Sequence, residues 1–393
     1  MDLFQKCNDY KDPEQVKAMG LYPYFVPITE SYDTEFYVNG EKKIMIGSNN
    51  YLGLTHHPKI LEALEKASKK YGSGCTGSRF LNGTIDLHEQ LENELAKFVN
   101  KESALVFSTG FQTNLGTIAT LVGKNDAVII DKLVHASIID ACRMSFGEVY
   151  KFNHNNSEDL ERVLQKIDKN RGKLVVVDGI FSMEGDIAKL DKLIPVLKKY
   201  GCKIMVDDAH AMGVLGKNGA GTPEHFNLTD EVDLIMGTFS KSFASIGGFI
   251  AGPESVIQYL KHHSRTLIFS ASMPPSAVAT VLAALEIIKT EPERRENLWN
   301  IARKMKKEFI SLGFDTGSSE TPVIPIIIGD DLQTFSFWKR LFDEGVYTNP
   351  VIYPAVPRKT SRLRTSYIAT HTENQLDFIL EKFKKVGKEF GVI

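Results

Sequence analysis

The sequence has few cysteines, no long apolar run and almost no net charge. Its four cysteines are far apart among 393 residues and include no CxxC pair, which argues against a disulfide framework or a thiolate zinc site and fits a reducing cytosol. No apolar stretch approaches the ~20 residues that a membrane-spanning helix needs. Because 47 basic residues nearly balance 49 acidic ones, charge gives no reason to expect nucleic acid or an anionic membrane as the main partner. We therefore expect a soluble, cytoplasmic protein.

Motifs of several common sites are also absent. There is no Walker A sequence and no HExxH pair, and the spacing of histidines and carboxylates predicts no metal site. Residues Gly72–Gly77 match GxGxxG letter by letter, but a helical pattern precedes them. The dinucleotide fingerprint needs a strand before it and a helix after it, so this segment predicts a loop rather than a Rossmann site.

Strand-like and helix-like segments alternate from about residue 46 to residue 275. Helical patterns such as Leu87–Phe98 and Asp159–Ile167 separate most of the strands. Continuous apolar strands between helices predict a mostly parallel sheet that is covered on both faces, and hence an α/β fold. The predicted strands are short runs rich in valine and isoleucine: Ala104–Phe107, Ala127–Ile130, Leu174–Val177, Ile204–Val206, Leu234–Met236 and Gly248–Ala251.

The pattern changes after Pro275. A helical stretch over about 276–312 precedes a strand-like run at Val323–Ile328, and a helix, an extended run and a last helix follow. This succession is typical of a smaller α+β domain. We predict three parts: an N-terminal segment at 1–45, a large α/β domain at 46–275 and a small C-terminal α+β domain at 276–393.

Ligands of an open α/β sheet bind at the carboxyl ends of its strands, so the residues after each strand are candidates for chemistry. Lys241 follows the strand at 234–236 and lies among small hydroxyl residues in Gly237–Ser242. Such a lysine could form an imine while the hydroxyls bind phosphate. The ordinary alternative is a solvated loop lysine.

A second strand ends at Asp207, which could keep a pyridine nitrogen protonated and so make the ring an electron sink. His210, three residues on, could reach a phenolic oxygen of the same ring. Asp208 should point to the opposite face of the sheet by strand alternation, and is the weaker candidate. The alternative is an aspartate that only caps the following turn.

Three further strand ends carry polar residues. The segment Ser108–Asn114 opens a helix, whose first N–H groups could bind a phosphate, although an ordinary N-cap has the same residues. His135 could stack on an aromatic cofactor, and Ser182 could donate a hydrogen bond to its oxygen. Both of them fit an ordinary loop after a strand as well.

In this order, the strand-end motifs resemble the fold-type I enzymes of pyridoxal 5'-phosphate (PLP), which have the aspartate aminotransferase-like fold. Among these the chain is similar to the α-oxoamine synthases, and most similar to their bacterial serine palmitoyltransferase branch. Ser240 supports that branch, because the other branches usually carry glycine there. The resemblance runs from about Gly47 to Thr372 and includes four further segments: Ser48–Leu54, Thr76–Thr84, Phe269–Pro275 and Arg362–Thr365.

The resemblance implies a role for each matching residue. Lys241 would hold PLP as a Schiff base and act as the base at the substrate Cα. Asp207 would pair with the pyridine nitrogen, His210 with the phenolic oxygen, and His135 would stack on the ring. The other residues would bind cofactor or substrate: Gly110, Phe111, Thr238 and Ser240 the phosphate, Ser182 the phenolic oxygen, Ser270 or Ser272 the cofactor of a second subunit, and Asn50, Ser78 and Arg364 the substrate carboxylate.

The resemblance also implies an activity, that of a PLP-dependent acyltransferase. L-serine and a long-chain acyl-CoA, with palmitoyl-CoA as the expected donor, would give 3-ketosphinganine, CoA and CO2, the first step of sphingolipid synthesis. A homodimer with shared active sites is implied too. Some relatives carry a mobile arginine where this chain has Ile352, so Arg364 would bind the carboxylate without that help. The eukaryotic counterparts have membrane anchors and this chain has none, so we expect at most peripheral membrane contact.

Three alternatives remain. A sister enzyme would join glycine or alanine to another acyl-CoA, and an aminotransferase of the same fold would need a 2-oxo acid acceptor. A non-catalytic regulatory subunit is disfavoured, because such relatives lose the lysine and Lys241 is present here.

Overall fold

The computed structural model describes residues 2–393, which fold into two compact units. One unit combines residues 2–48 with 300–393, and the other is Asn49–Trp299. The sequence-based division differs in two respects: it separates the N-terminal segment from the C-terminal domain, and it starts that domain at residue 276. The helix Pro275–Thr290 belongs to the larger unit because it packs on two helices of that unit, Pro58–Tyr71 and Asp86–Phe98.

The elements are numbered in chain order. The strands are β1 Glu30–Tyr32, β2 Glu35–Val38, β3 Glu41–Met45, β4 Ser103–Phe107, β5 Asp126–Asp131, β6 Glu148–Phe152, β7 Gly172–Asp178, β8 Lys203–Asp207, β9 Leu234–Thr238, β10 Gly248–Gly252, β11 Val323–Gly329, β12 Val346–Tyr347, β13 Asn349–Val351 and β14 Ser361–Ser366. The helices are α1 Gln5–Asn8, α2 Asp12–Ala18, α3 Pro58–Tyr71, α4 Asp86–Phe98, α5 Gly110–Leu121, α6 Ala136–Met144, α7 Ser157–Leu164, α8 Leu190–Lys199, α9 Thr222–His225, α10 Glu254–His263, α11 Arg265–Ile268, α12 Pro275–Thr290, α13 Pro292–Leu312, α14 Asp331–Asp343 and α15 Glu373–Glu389.

The larger unit is built on a seven-stranded sheet in the order β4-β10-β9-β8-β7-β5-β6. The strands β5 to β9 pair in parallel, and β10 runs antiparallel to both of its neighbours. The expected mostly parallel α/β sheet is therefore confirmed. The middle residues of its central strands are apolar and buried, as at Val175, Val176 and Val177, because a sheet with both faces covered has no solvent side.

The reversal at β10 makes the connection from β9 a closed loop rather than a crossover. The backbone N–H of Phe239 donates to the carbonyl of Gly247 at 2.9 Å, and that of Ser245 donates to the carbonyl of Phe239 at 2.9 Å. Gly247 has a φ of 120°, and a Cβ there would lie 2.4 Å from the sulfur of Met273. The loop that carries Lys241 is thus fixed at both of its ends.

Two elements differ from the predicted pattern: the edge strand β6 and the helical stretch after residue 275. The edge strand β6 is mostly exposed, and it was not predicted because it carries the charged residues Glu148 and Lys151 instead of a continuous apolar run. The single helical stretch expected over 276–312 is two helices, because Pro292 cannot donate the backbone hydrogen bond that would continue α12. Among residues 2–393 no helix combines the length and the apolar character that crossing a bilayer requires.

The smaller unit contains two sheets, β1-β2-β3-β12 and β11-β14-β13. The first begins with the antiparallel strands β1, β2 and β3, which were not predicted from the sequence. In the second, β14 is the central strand, and all six of its residues are buried. Aromatic side chains form the apolar core beside it, with Phe383 in contact with Phe309, Phe314 and Phe337.

Candidate active site

The strand ends of the larger sheet surround one pocket of about 340 Å³. It lies where β4, β5, β7, β8 and β9 end, as expected for an open α/β sheet. Eight of the residues singled out from the sequence line it: Gly110, Phe111, His135, Asp207, His210, Thr238, Ser240 and Lys241. These eight residues come from four separate segments of the chain, which therefore meet at a single site.

Lys241 stands on the closed loop between β9 and β10. Two hydroxyls precede it, and Thr238 Oγ1 lies 3.0 Å from Ser240 Oγ. Thr238 is buried at the end of β9, while Lys241 is only partly buried and lines the pocket. An amine at this position can reach a bound ligand, and the two hydroxyls lie beside it.

Asp207 occupies the end of β8 with two hydrogen-bond donors. The amide nitrogen Nδ2 of Asn114 donates to its Oδ2 at 2.6 Å, and the backbone N–H of Ala209 donates to its Oδ1 at 3.0 Å. The next residue, Asp208, does not line the pocket. It accepts the backbone N–H of Thr222 at 2.8 Å, and burial raises its pKa to about 7. The two adjacent aspartates therefore lie in different surroundings.

Asn114 also connects Asp207 to His135. Its Nδ2 donates to Ser137 Oγ at 2.9 Å, and that hydroxyl lies 2.7 Å from His135 Nδ1. The backbone N–H of Ser137 donates to the same Nδ1 at 3.2 Å. Because a backbone N–H can only donate, Nδ1 is an acceptor, and the ring proton of neutral His135 is on Nε2. Burial and the charge of Lys241 lower the pKa of His135, against the opposing effect of Asp207.

The start of α5 fits a phosphate. Thr109 caps the helix by accepting the N–H of Gln112 at 3.1 Å, and the first N–H groups of a helix have no partner within it. A Cβ on Gly110 would lie 2.7 Å from Thr238 Oγ1, so only glycine leaves space there. One buried atom beside the pocket, Asn114 Oδ1, lacks a hydrogen-bond partner. A helix start and two hydroxyls for the phosphate, a lysine for the aldehyde and a carboxylate for the ring nitrogen are together the groups that a phosphorylated pyridine aldehyde requires.

Several predicted residues lie elsewhere in the larger unit and do not line the pocket. Asn50 donates to Thr55 Oγ1 at 3.0 Å and accepts the N–H of Leu54 at 3.0 Å. Ser182 does not line it either, nor does Ser78, whose buried Oγ has no hydrogen-bond partner. The Oγ of Ser270 accepts from Gln112 at 3.0 Å, and Ser272 donates to the carbonyl of Gly77 at 3.1 Å. Arg364 belongs to the smaller unit, where it is buried in the middle of β14.

The pocket also contains polar residues to which we assigned no role from the sequence. Asn114, Ser137 and Asp178 line it, and Tyr51 contacts one of its histidines at 2.7 Å. Asn114 stands four residues after Gly110, one helical turn further on the same face. Asp178 is the last residue of an apolar strand, as Asp207 is. The position of Asn114 on the helix and that of Asp178 at a strand end are the sequence features that could have identified these two residues.

A partly buried charged cluster joins two loops that supply pocket residues. His154 Nδ1 lies 3.1 Å from Asp131 Oδ1, and its Nε2 lies 2.9 Å from Asp186 Oδ2. Burial lowers the pKa of His154, but the hydrogen bonds and charges of the two carboxylates outweigh it and raise the pKa to about 10. Asp131 ends β5 just before His135, and Asp186 lies in the loop after β7. The cluster thus holds together two segments that supply pocket residues.

Comparisons with known proteins agree with this geometry. The family described as aminotransferase class I and II matches residues 41–383. A serine palmitoyltransferase of Sphingobacterium spiritivorum is 50% identical over 98% of this chain and 97% of its own length. An 8-amino-7-oxononanoate synthase of Thermoanaerobacter pseudethanolicus is 42% identical over 97% of this chain and 96% of its own. A solved variant of the S. paucimobilis serine palmitoyltransferase, with a bound PLP–myriocin aldimine, superposes with a TM-score of 0.97 at 37% identity and full coverage of both chains.

Proposed function

Because the chain belongs to the aminotransferase class I and II family, and within it to the PLP-dependent α-oxoamine synthases, we propose that it condenses L-serine with a long-chain acyl-CoA. Palmitoyl-CoA is the expected donor, and the products are 3-ketosphinganine, CoA and CO2. The observation that carries the proposal is a single pocket lined by Lys241, Asp207, His210 and His135 in a chain that matches serine palmitoyltransferases over nearly its whole length.

The residues of the pocket divide into three groups around the cofactor. Gly110, Phe111, Thr238 and Ser240 would hold its phosphate at the start of α5. Asp207 would hold a proton on the pyridine nitrogen, and Asn114 fixes that carboxylate in place. His210 would hydrogen-bond the phenolic oxygen. When bound, PLP supplies an electron sink for the carbanion that both the new carbon–carbon bond and the loss of CO2 require.

Lys241 would transfer protons, and His135 would donate a hydrogen bond. The amine of Lys241 takes the proton from the Cα of serine and returns one to the same carbon after CO2 has left. The Nε2–H of His135 donates to the thioester carbonyl oxygen while the new bond forms, which stabilises the charge that develops there. The chain Asn114–Ser137–His135 keeps the ring in the tautomer that can donate.

The amino acid and acyl donor are tested by spectra and product mass. Each of L-serine, glycine and L-alanine is titrated into the PLP-loaded protein while the visible absorbance is followed, and palmitoyl-CoA is then added. We expect serine to change the spectrum and give a product with the mass of 3-ketosphinganine. A more efficient condensation of glycine or alanine would contradict the choice of serine and favour the sister enzyme. Formation of a 2-oxo acid without CoA release would instead indicate an aminotransferase.

Lys241→Ala tests the role of this lysine with the same two readouts, the visible spectrum and the product. The variant should lose the visible band of the lysine-bound cofactor and all measurable turnover, while its circular dichroism spectrum stays that of the folded protein. Lys261→Ala removes a partly buried lysine outside the pocket and should leave both readouts unchanged. Near-normal turnover of Lys241→Ala would contradict the assignment of this residue.

We also propose a homodimer whose subunits share their active sites. Large apolar side chains are exposed on one face of the larger unit, with Met144 at 66%, Phe146 at 83% and Phe269 at 73%. They surround a cavity of about 700 Å³ that Ser270 also lines, and exposed apolar area of this kind is typical of an interface. Light scattering at assay concentration should give twice the mass of one chain. A fully active monomer would contradict the proposal.

A further inference from the structure

Two carboxyl groups stand side by side in the pocket. Asp178 and Asp207 end β7 and β8, and the two residues are paired in the parallel register of these strands. Residues paired in this way point to the same face, with the strands about 4.8 Å apart. Both are only 4% exposed, and both line the pocket. Two negative charges so close together and so far from water would repel strongly.

The two carboxyls differ in the donors that could stabilise a negative charge. Asp207 accepts from Asn114 Nδ2 at 2.6 Å and from the N–H of Ala209 at 3.0 Å. Asp178 accepts from the N–H of His135 at 3.2 Å. A carboxylate is stabilised by each N–H donor that it accepts from. The charge of the pair therefore belongs on Asp207, and a proton on Asp178.

The other charged and titratable groups around Asp178 leave that balance in place. They are Asp207 on β8, Asp131 at the end of β5, His135 after it and Lys241 after β9. Burial and the charge of Asp207 raise the pKa of Asp178 well above its ordinary value. The hydrogen bond from His135 and the charge of Lys241 act in the opposite direction and are outweighed.

We propose that Asp178 is a positioning residue that stays protonated, holds the backbone of His135 through its acceptor oxygen, and leaves Asp207 as the single anion of the pair. The inference rests on the proposed function, in which Asp207 faces the pyridine nitrogen and His135 faces the thioester. A neutral Asp178 stabilises the loop of His135 without adding a second negative charge, which would compete with Asp207 for the proton at that nitrogen.

The protonation state is tested without turnover, by infrared difference spectroscopy of the PLP-loaded protein against its Asp178→Asn variant. We expect the variant to lose the C=O stretch of a protonated carboxyl. Loss of a carboxylate stretch instead would overturn the proposal. Asp208→Asn, which replaces an equally buried aspartate outside the pocket, shows how large the signal of a single carboxyl is in this protein.

The positioning role is tested by comparing Asp178→Asn with Asp178→Ala. Asparagine keeps an acceptor oxygen and a donor of the same shape, so kcat should stay within about threefold of the wild type and its pH profile should not move. Alanine removes the acceptor for His135, and kcat should fall about tenfold with cofactor still bound.

Two kinetic outcomes would overturn the proposal: a loss in Asp178→Asn as large as that of Asp207→Asn, or wild-type kinetics in Asp178→Ala. If no acyl-CoA is condensed at all, the proposed function fails. The infrared comparison still decides the state of Asp178 in that case.

Discussion

Tyr51 Oη lies 2.7 Å from His210 Nδ1, and both side chains are buried. Tyr51 follows the smaller unit by only a few residues in the chain, whereas His210 follows β8, so the contact joins segments 159 residues apart. The hydrogen bond fixes the rotation of the imidazole, which lines the pocket. Tyr51 is therefore part of the site although it does not line the cavity.

Replacing Tyr51 with phenylalanine tests this relationship. The ring remains and only the hydroxyl is lost, so we expect a cost of about 1 kcal/mol, or roughly fivefold in kcat/KM for product formation. The pH at which the visible band of the bound cofactor changes should shift as well. Tyr259→Phe is the control, since that ring stacks on His263 away from the pocket. An unchanged spectrum and rate in Tyr51→Phe would show that His210 needs no such partner.

The neighbouring aspartates should respond very differently to the same substitution. Asp207→Asn should bind PLP but lose at least ~100-fold in kcat, on the order of 3 kcal/mol of barrier, because the pyridine nitrogen loses its anionic partner. Asp208→Asn keeps an oxygen for the N–H of Thr222 and should lose less than about threefold. Steady-state rates of the two purified variants decide the matter. The reverse order of effects would mean that the wrong carboxylate has been assigned.

The His154 cluster predicts a pH-dependent stability. A histidine whose pKa rises from 6.5 to about 10 on folding contributes stability that is complete below pH 6.5 and is lost as the pH rises through 10. His154→Gln should therefore unfold more easily than the wild type, by about 3 kcal/mol at pH 6. The difference should shrink steadily toward pH 10.

Urea unfolding at several pH values measures this difference. His262→Gln, which replaces an exposed histidine, should follow the wild-type curve throughout. A constant gap between His154→Gln and the wild type from pH 6 to pH 10 would mean that His154 acts by packing rather than by charge.

We predict that Arg364 binds the carboxylate of the substrate. It is buried within the central strand β14 of the smaller unit, and Ile352 cannot supply a second cation. A guanidinium binds a carboxylate through two parallel hydrogen bonds, which an ammonium group cannot reproduce. Arg364→Lys should thus raise the serine dissociation constant at least ~10-fold and leave the spectrum of the bound cofactor unchanged. If serine affinity holds while thermal stability falls, Arg364 is only a structural residue.

The strands and most of the pocket follow from local sequence. Buried strands such as β7 and β8 have a continuous apolar run in their middle. The polar residues at and after the ends of these strands, Asp207 and His210 among them, necessarily meet at one edge of a parallel sheet. The antiparallel strands β1–β3 and the edge strand β6 were missed because they are half-exposed and carry charges. Contacts between distant segments, such as Tyr51 with His210, depend on tertiary packing, which no local pattern records.

The antiparallel direction of β10 affects the chemistry as well as the sheet. In a parallel crossover, a long segment would separate the end of β9 from the next strand, and a lysine on it could swing away once released from a ligand. Here the chain turns back within nine residues, from Phe239 to Gly247, and the hydrogen bond between those two residues closes the loop. If Lys241 holds the cofactor, as proposed, its amine would remain within a small volume beside the pocket after release. The high local concentration of this amine would favour its return to the cofactor over attack by a group from solution.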